Sequence, residues 1–303
     1  RRVRHGSRAL IALFTLAALS TTTIQTANAA ADHNKHMSMA TPGMAIQLRP
    51  QALGTYEWEV STDNAEAQAF FIQGMQLRWA YNMPESVSSM VRARELDPTC
   101  AMCFWGEALA TGPNINVTSK GKVIMSAGER EAAFAALQKA LALKDNATVR
   151  EQAYIEALAT RYNGDAETDR EPLDRAWAEA MGSVVKQYPE DMTAASIYAE
   201  SLMNTMPWNY WSDDGIAKPE TSAVIESLDR VLQAEPDHPL ALHLYIHALE
   251  ASNDPSRAET AADRLANLVP GAGHLVHMPS HIYYRIGRYN DAAVANQRAA
   301  DVD

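Results

Sequence analysis

The sequence predicts an all-α fold, a solenoid of about six helix–turn–helix units. Three observations predict it. No stretch alternates apolar and polar residues with the period of two that a half-buried strand shows. From Ala65 onward, apolar residues recur with a helical period, in runs that end at prolines or turn-forming residues. Pro236 and Pro270 lie 34 residues apart and bracket two such helical runs.

The chain begins with a predicted signal peptide, residues 1–29. Four arginines lie before or at the start of an apolar run from Ala9 to Leu19, and Ala27 to Ala29 fits a small-residue cleavage site. An apolar run of this length is too short to span a bilayer, and no other stretch approaches that length. We therefore expect an exported protein, periplasmic or extracellular, with no membrane span.

Residues 30–64 are predicted to form a flexible leader, because they show neither a helical nor a strand period. The leader contains two histidines and several methionines, and thioether sulfurs beside imidazoles suit Cu(I). The alternative is a linker that holds these side chains by chance. The side chains concerned are His33, His36, Met37, Met39 and Met44.

The predicted array occupies residues 65–303. Its first unit closes at Asp97-Pro98, and Gly74 and Gly106 are positions where small residues let helices approach closely. The helix that begins at Cys100 stops before Pro113, since proline cannot continue a helix. Residues 114–128 form an insertion without a period. The next predicted helices span residues 129–143, 148–162, 171–187, 191–202 and 222–235, followed by the two units that Pro236 and Pro270 introduce.

The last unit carries the motif G-x-Y-x-x-A at Gly287, Tyr289 and Ala292, with Ala299 following. This motif and the spacing of 34 residues resemble the tetratricopeptide-repeat family from about Ala65 to the end. The stretches CAMCFWGEALATGPNIN and HMPSHIYYRIGRY resemble an exported bacterial branch of that family. The resemblance implies a right-handed solenoid whose first helices line a concave groove, the usual site for a protein or peptide partner.

The net charge of −11 argues against a nucleic-acid surface, which would need a basic patch. Segment 206–215 interrupts the fourth pair of helices and contains Trp208, Tyr210 and Trp211. Such aromatic residues in a non-helical insertion either line a binding surface or pack on the flank of the array.

Six of the nine histidines lie in the 44 residues from His238 to His281. His243, His247 and Glu250 follow one another at i, i+4 and i+7. A helix of 3.6 residues per turn places all three on one stripe.

His274, His277 and His281 occupy the matching stripe of the next unit, although Pro279 places His277 at or before the first turn. Adjacent first helices lie about 10 Å apart, so imidazoles from both could meet at one copper, zinc or iron ion. The alternative is that these histidines bind a peptide carboxylate or form hydrogen bonds within the array. The predicted metal ligands here are His243, His247, His277 and His281, with Glu250 and His274 auxiliary.

Cys100 and Cys103 form a C-x-x-C motif. Phe104 follows where covalent haem attachment needs histidine, and no βαβ pattern surrounds the motif. Three interpretations stay open: a disulfide or inert thiols, metal ligation together with Glu107 one turn further on, or redox exchange.

Two functions are expected. The first is an exported scaffold that binds a peptide, a protein or a small ligand in its groove. The second is a transition-metal or haem protein that uses the groove histidines. We predict no catalytic residue, because Leu244 stands where the metalloprotease motif H-E-x-x-H needs glutamate. The predicted groove comprises Trp105, Asn114, Trp208, Trp211, His243, His247, Glu250, His274, His277, His281 and Tyr284.

The end of the sequence adds one expectation about assembly. Asp303 falls where the second helix of the last unit is finishing, with no polar capping helix after it. Repeat arrays need such caps, so we expect an incomplete C-terminal end through which an oligomer could form.

Overall fold

A computed structural model describes residues 46–302 of the chain, and the fold in that range is almost entirely helical. The all-α prediction is confirmed. The predicted signal peptide and the histidines and methionines of residues 30–45 lie outside the described residues. Within the described range, no helix combines the length and the apolar character that crossing a bilayer requires.

Consecutive helices pack against one another, and most are joined by short connections, with longer ones at residues 112–126 and 206–218. In chain order they are α1 (Ala65–Trp79), α2 (Met83–Leu96), α3 (Ala101–Thr111), α4 (Ala127–Ala142), α5 (Val149–Ala159), α6 (Arg170–Gln187), α7 (Met192–Thr205), α8 (Pro219–Ala234), α9 (Pro239–Leu249), α10 (Glu259–Leu268), α11 (Gly273–His277), α12 (Pro279–Arg285) and α13 (Tyr289–Val302). Short 3₁₀ helices occupy Lys144–Asn146 and Pro255–Ala258.

Side-chain caps fix several helix starts. Asp191 accepts a hydrogen bond from the Ala194 N–H at the start of α7, as its position in the sequence predicts. Helices α4 and α5 begin with reciprocal capping boxes, in which Ser126 and Thr148 each exchange hydrogen bonds with the glutamate three residues later. These local signals explain why the predicted helix boundaries lie within a few residues of the observed ones.

Two details differ from the sequence prediction. The insertion after α3 contains a small antiparallel hairpin, in which β1 (Thr118–Ser119) pairs with β2 (Lys122–Val123). Strands of two residues are too short to show an alternating pattern. The first helix of the last unit is divided into α11 and α12 at Met278, because Pro279 has no N–H to continue the first segment.

Small residues allow close contact between α1, α2 and α3. A Cβ atom at Gly106 would lie 2.5 Å from Sδ of Met90, and one at Gly74 would lie 2.6 Å from Cε of the same side chain. Met90 is fully buried between these helices. The predicted role of both glycines in close packing is confirmed.

The first helix of the array contacts a helix that lies much later in the sequence. Helix α9 packs against α1, and His243 Nδ1 lies 2.8 Å from the carbonyl oxygen of Trp79, the last residue of α1. Beside this contact, Arg78 of α1 forms a fully buried ion pair of 2.9 Å with Glu200 of α7. Three helices that are distant in sequence are therefore joined at one point.

The segment of residues 46–64 has no helix, but it is packed rather than loose. Trp58 is 8% exposed and contacts the rings of Phe71, Trp105 and Tyr154. Further along the segment, the Ser61 side chain donates a hydrogen bond to the buried Glu151. The structure differs here from the prediction of a flexible leader. The reason is that its apolar residues are too few and too irregularly spaced to show a period, yet they fill gaps between helices.

Replacing Trp58 by alanine tests this packing. We expect the free energy of unfolding to fall by about 3–5 kcal/mol, because a large ring leaves the core. Denaturant unfolding measures the change. The exposed neighbour Glu59→Ala is the matched control and should change stability by less than about 0.5 kcal/mol. Equal, small effects of both substitutions would show that the segment is not held against the array.

Candidate metal centre

Three helices bring five histidines and one glutamate together. Helix α9 carries His243 and His247 and ends directly before Glu250. Helix α11 contributes His274 and His277, and α12 contributes His281. The two predicted stripes therefore meet, as their spacing on neighbouring helices implies. The set comprises His243, His247, Glu250, His274, His277 and His281.

The inner part of the centre consists of three imidazoles. One nitrogen each from His243, His247 and His274 lies within 4.8 Å of the others. The Nε2 atoms of His243 and His274 are 3.0 Å apart. Two nitrogens bound to one zinc ion would be separated by about 2.9 Å at a right angle and about 3.4 Å at the tetrahedral angle. The separation of His243 and His274 is therefore compatible with two ligands of one ion, and it is also the length of a hydrogen bond between the two rings.

The outer part of the centre comprises Glu250, His277 and His281 and adjoins His247. Glu250 accepts hydrogen bonds from two imidazoles, at 2.9 Å from His247 Nδ1 and at 2.6 Å from His281 Nδ1. His281 Nε2 lies 2.9 Å from His277 Nε2, and His277 Nδ1 contacts the side-chain oxygen of Asn296. One carboxylate thus orients a histidine of each part.

Oxygen acceptors determine the tautomers of the centre. A carbonyl oxygen or a carboxylate can only accept, so Nδ1 of His243, His247 and His281 carries the proton. Their Nε2 atoms then present lone pairs. An oxygen acceptor on one ring nitrogen, with the lone pair left on the other, is also the arrangement typical of metal-bound histidine.

The electrostatics of the centre favour neutral imidazoles beside an ionised carboxylate. Burial lowers the pKa of His243 well below its ordinary range, and the neighbouring His247 lowers it further. Burial also lowers the pKa of His247, although the hydrogen bond to Glu250 opposes the effect. Burial raises the pKa of Glu250, but the hydrogen bonds from His247 and His281 outweigh it and lower the pKa overall. Neutral imidazole is the form that binds metals.

One buried nitrogen of the centre forms no hydrogen bond with the described residues. His247 is 1% exposed, and its Nε2 has no hydrogen-bond partner among residues 46–302. Leaving such a group unpaired costs about 1–3 kcal/mol. An ion bound by this nitrogen would satisfy it.

Two residues with strained backbone flank the centre. Tyr81 has a φ of 56°, and its ring centroid lies 4.5 Å from that of His243. Trp208 has a φ of 63°, and its ring meets His247 edge-on at 5.1 Å. Non-glycine residues rarely adopt this conformation, and it concentrates at functional sites. The sequence indicated Trp208 but gave no signal for Tyr81, which reaches the centre only because α1 packs on α9.

An open cavity of about 550 Å³ adjoins the outer part of the centre. His247, Glu250 and His281 line it together with Trp208 and Tyr284. The side chain of His281 is 14% exposed, whereas that of His247 is fully buried. His274 of the inner part is also partly exposed, so solvent reaches both parts of the centre.

The other predicted groove residues do not share this surface. Trp105 is 1% exposed and donates its N–H to the carbonyl of Tyr154, and Asn114 is buried as well. Trp211 donates to the carbonyl of Ala248 and packs against the core. Trp105 and Asn114 are buried and Trp211 is partly buried, and none of these three side chains lines the cavity beside the histidines.

The C-x-x-C motif is oxidised in the structure. Cys100 and Cys103 form a disulfide with an S–S distance of 2.09 Å, and both are fully buried. Glu107 pairs with Arg94 instead of approaching the sulfurs. The disulfide was one of the interpretations left open, and the interpretation of these three residues as metal ligands is not supported, because neither sulfur is a thiolate.

Comparison of the sequence with models of known protein families and with curated proteins finds no match. The fold and the histidine centre alone therefore indicate the class of this protein.

His238 stands apart from the centre. It caps α9 by accepting the N–H of Ala241 at Nδ1, and its ring contacts Tyr56. Burial lowers the pKa of His238 from 6.5 to about 4. The unfolded chain therefore binds more protons than the folded protein between these two values.

We expect the free energy of unfolding to be fully retained above about pH 6.5 and to fall as the pH drops towards 4, with His238 contributing up to roughly 3 kcal/mol. His238→Asn keeps a capping side chain and removes the titrating ring, so its profile should be flatter than that of the wild type. Denaturant unfolding at several pH values provides the measurement. If the free energy of unfolding depended on pH in the same way in the wild type and in His238→Asn, the assignment of this dependence to His238 would be wrong.

Proposed function

We propose that the protein binds a transition-metal ion through His243, His247 and His274, with His277, His281 and Glu250 completing the surroundings. The observation that carries the proposal is the orientation of the rings. Oxygen acceptors hold Nδ1 of His243, His247 and His281, so their Nε2 atoms carry the lone pairs. The Nε2 atoms of His243 and His281 face the Nε2 atoms of His274 and His277, and an ion would replace such a contact between rings. The unpartnered, buried Nε2 of His247 adds to this argument.

Imidazole donors suit zinc, copper and iron rather than magnesium or calcium, which prefer oxygen. One nitrogen from each of the three inner histidines lies within 4.8 Å of the others, a spacing that favours a single ion over haem. The geometry therefore supports the second of the two expected functions. Binding of a peptide or protein in the groove is the second candidate, and the exposed rings of Trp208 and Tyr284 favour it.

We also propose that the helical array is a tetratricopeptide-type solenoid. The first helices of several successive pairs contact each other, and Gly287 adopts a φ of 86° at the turn of the G-x-Y motif. Export is proposed from the predicted signal peptide, and the Cys100–Cys103 disulfide supports an oxidising compartment.

Metal analysis of protein produced without a histidine tag tests the proposed function. After incubation with Zn²⁺ or Cu²⁺ and dialysis, we expect about one equivalent or more of bound metal and a rise in melting temperature that a chelator reverses. The double variant His247→Ala, His274→Ala should lose at least about tenfold in affinity for the metal ion, because two inner donors are removed.

His238→Asn serves as the matched control, because it alters a buried histidine outside the centre and should bind as the wild type does. Circular dichroism verifies that each variant is folded. Wild-type protein that neither retains metal nor gains thermal stability from it would refute the proposal.

A further inference from the structure

We infer that the centre holds a second transition-metal ion, bound by the Nε2 atoms of His277 and His281 and separate from the ion proposed at His243, His247 and His274. The inference rests on the proposed function for the first ion and adds a second site to it. The geometry assigns this site to an ion that takes two nitrogen donors at a right angle, such as Cu²⁺, with water completing its coordination.

Two imidazole nitrogens face each other at the second site as closely as they do in the inner part of the centre. The Nε2 atoms of His277 and His281 are 2.9 Å apart, compared with 3.0 Å between those of His243 and His274. Nitrogens bound to one ion at a right angle are separated by about 2.9 Å. Right angles between neighbouring donors occur in tetragonal sites with nitrogen and oxygen ligands, which are typical of Cu²⁺ and Ni²⁺.

The backbone brings these two rings together locally. His277 is the last residue of α11, and His281 lies four residues later in α12. Met278 between them has helical φ and ψ angles, so the break at Pro279 does not separate the rings, whose centroids lie 4.8 Å apart. Side chains at i and i+4 of a helix lie on one face, and a pair of histidines with this spacing is a known way to bind a metal ion.

Oxygen atoms contact the opposite nitrogen of each ring. His281 Nδ1 lies 2.6 Å from a carboxylate oxygen of Glu250, and His277 Nδ1 lies 2.5 Å from the side-chain oxygen of Asn296. The hydroxyl of Ser280 makes a longer contact of 3.4 Å with His277 Nδ1. Protons on both Nδ1 atoms leave lone pairs on both Nε2 atoms. Two lone pairs that face each other at 2.9 Å repel unless a proton or a metal ion lies between them.

The second site is more open to solvent than the first. His277 and His281 are both partly exposed, whereas the side chains of His243 and His247 are fully buried. Solvent that reaches His281 provides water as the remaining ligands of an ion with two protein donors. The second ion should therefore be held more weakly than the first and be the first that a chelator removes.

Glu250 supports both sites. Its carboxylate contacts Nδ1 of His247 and Nδ1 of His281, which are one ligand from each site. A carboxylate on this nitrogen orients a ligand histidine and makes it a stronger donor. Its negative charge also offsets part of the repulsion between two cations.

Equilibrium dialysis of the full-length protein against Cu²⁺, followed by metal analysis, counts the bound ions. The histidines and methionines of residues 30–45 could bind copper of their own, so each count is taken as a difference between the wild type and a variant of the same length. We expect His277→Ala, His281→Ala to lose one equivalent, because only the second site is removed. His247→Ala, His274→Ala should lose one equivalent from the first site, and the fourfold variant should lose two.

His238→Asn is again the matched control and should bind as much copper as the wild type. Circular dichroism verifies that each variant is folded. If the double variant of the second site does not fold, His277→Ala alone removes one of its two donors at a partly exposed position and should lose the same equivalent.

The outcomes separate this inference from the proposed function. Unchanged copper binding in His277→Ala, His281→Ala would mean that a proton joins the two rings, and would overturn the second site alone. A fourfold variant that loses only one equivalent, when each double variant also loses one, would indicate a single shared ion and overturn it as well. If only the substitutions at His277 and His281 remove copper, the second site stands and the proposed site at His243, His247 and His274 is refuted.

Discussion

The hydrogen bond between His243 and the carbonyl of Trp79 is the contact on which the organisation of this protein depends. It joins α9 to the end of α1, next to the buried ion pair of Arg78 and Glu200. Both side chains of this ion pair are fully buried, and Arg78 Nη2 and Glu200 Oε2 have no hydrogen-bond partner among residues 46–302. Removing either side chain would therefore leave a buried charge without its counter-ion. The contact also fixes the ring of His243 with Nε2 directed at its neighbours. The same hydrogen bond therefore joins α1 to α9 and orients the ring of His243, one of the proposed metal ligands.

Glu250 gives the centre a second internal link. Its two carboxylate oxygens bind His247 and His281, which belong to helices of different units. A change in the position of His281 can therefore reach the buried His247 through the side chain of Glu250 alone. The packed helices hold the centre rigid, and this carboxylate links the two histidines to each other. A bound ion would stabilise both units together, because its ligands come from each of them.

Much of this arrangement can be predicted from the sequence, and there is a physical reason why the rest cannot. The spacing of His243 and His247 places them on one stripe, and the next unit repeats the pattern, so their proximity to His274 is predictable from helical geometry. The positions of Tyr81 and of the Trp79 carbonyl are not predictable in this way, because they depend on the curvature that accumulates over several helix pairs. Trp58 was missed for a different reason, since an irregular segment can be buried without showing any period. Burial of Trp105 and Asn114 likewise depends on long-range packing.

The distance in sequence between His243 and its acceptor sets an order of events during synthesis. The two residues are separated by 164 positions, so the carbonyl is made long before the imidazole that needs it. Until α11 has been synthesised, a growing chain also lacks His274, the third of the proposed metal ligands. Binding of an ion by the proposed ligand set would therefore follow the synthesis of α11.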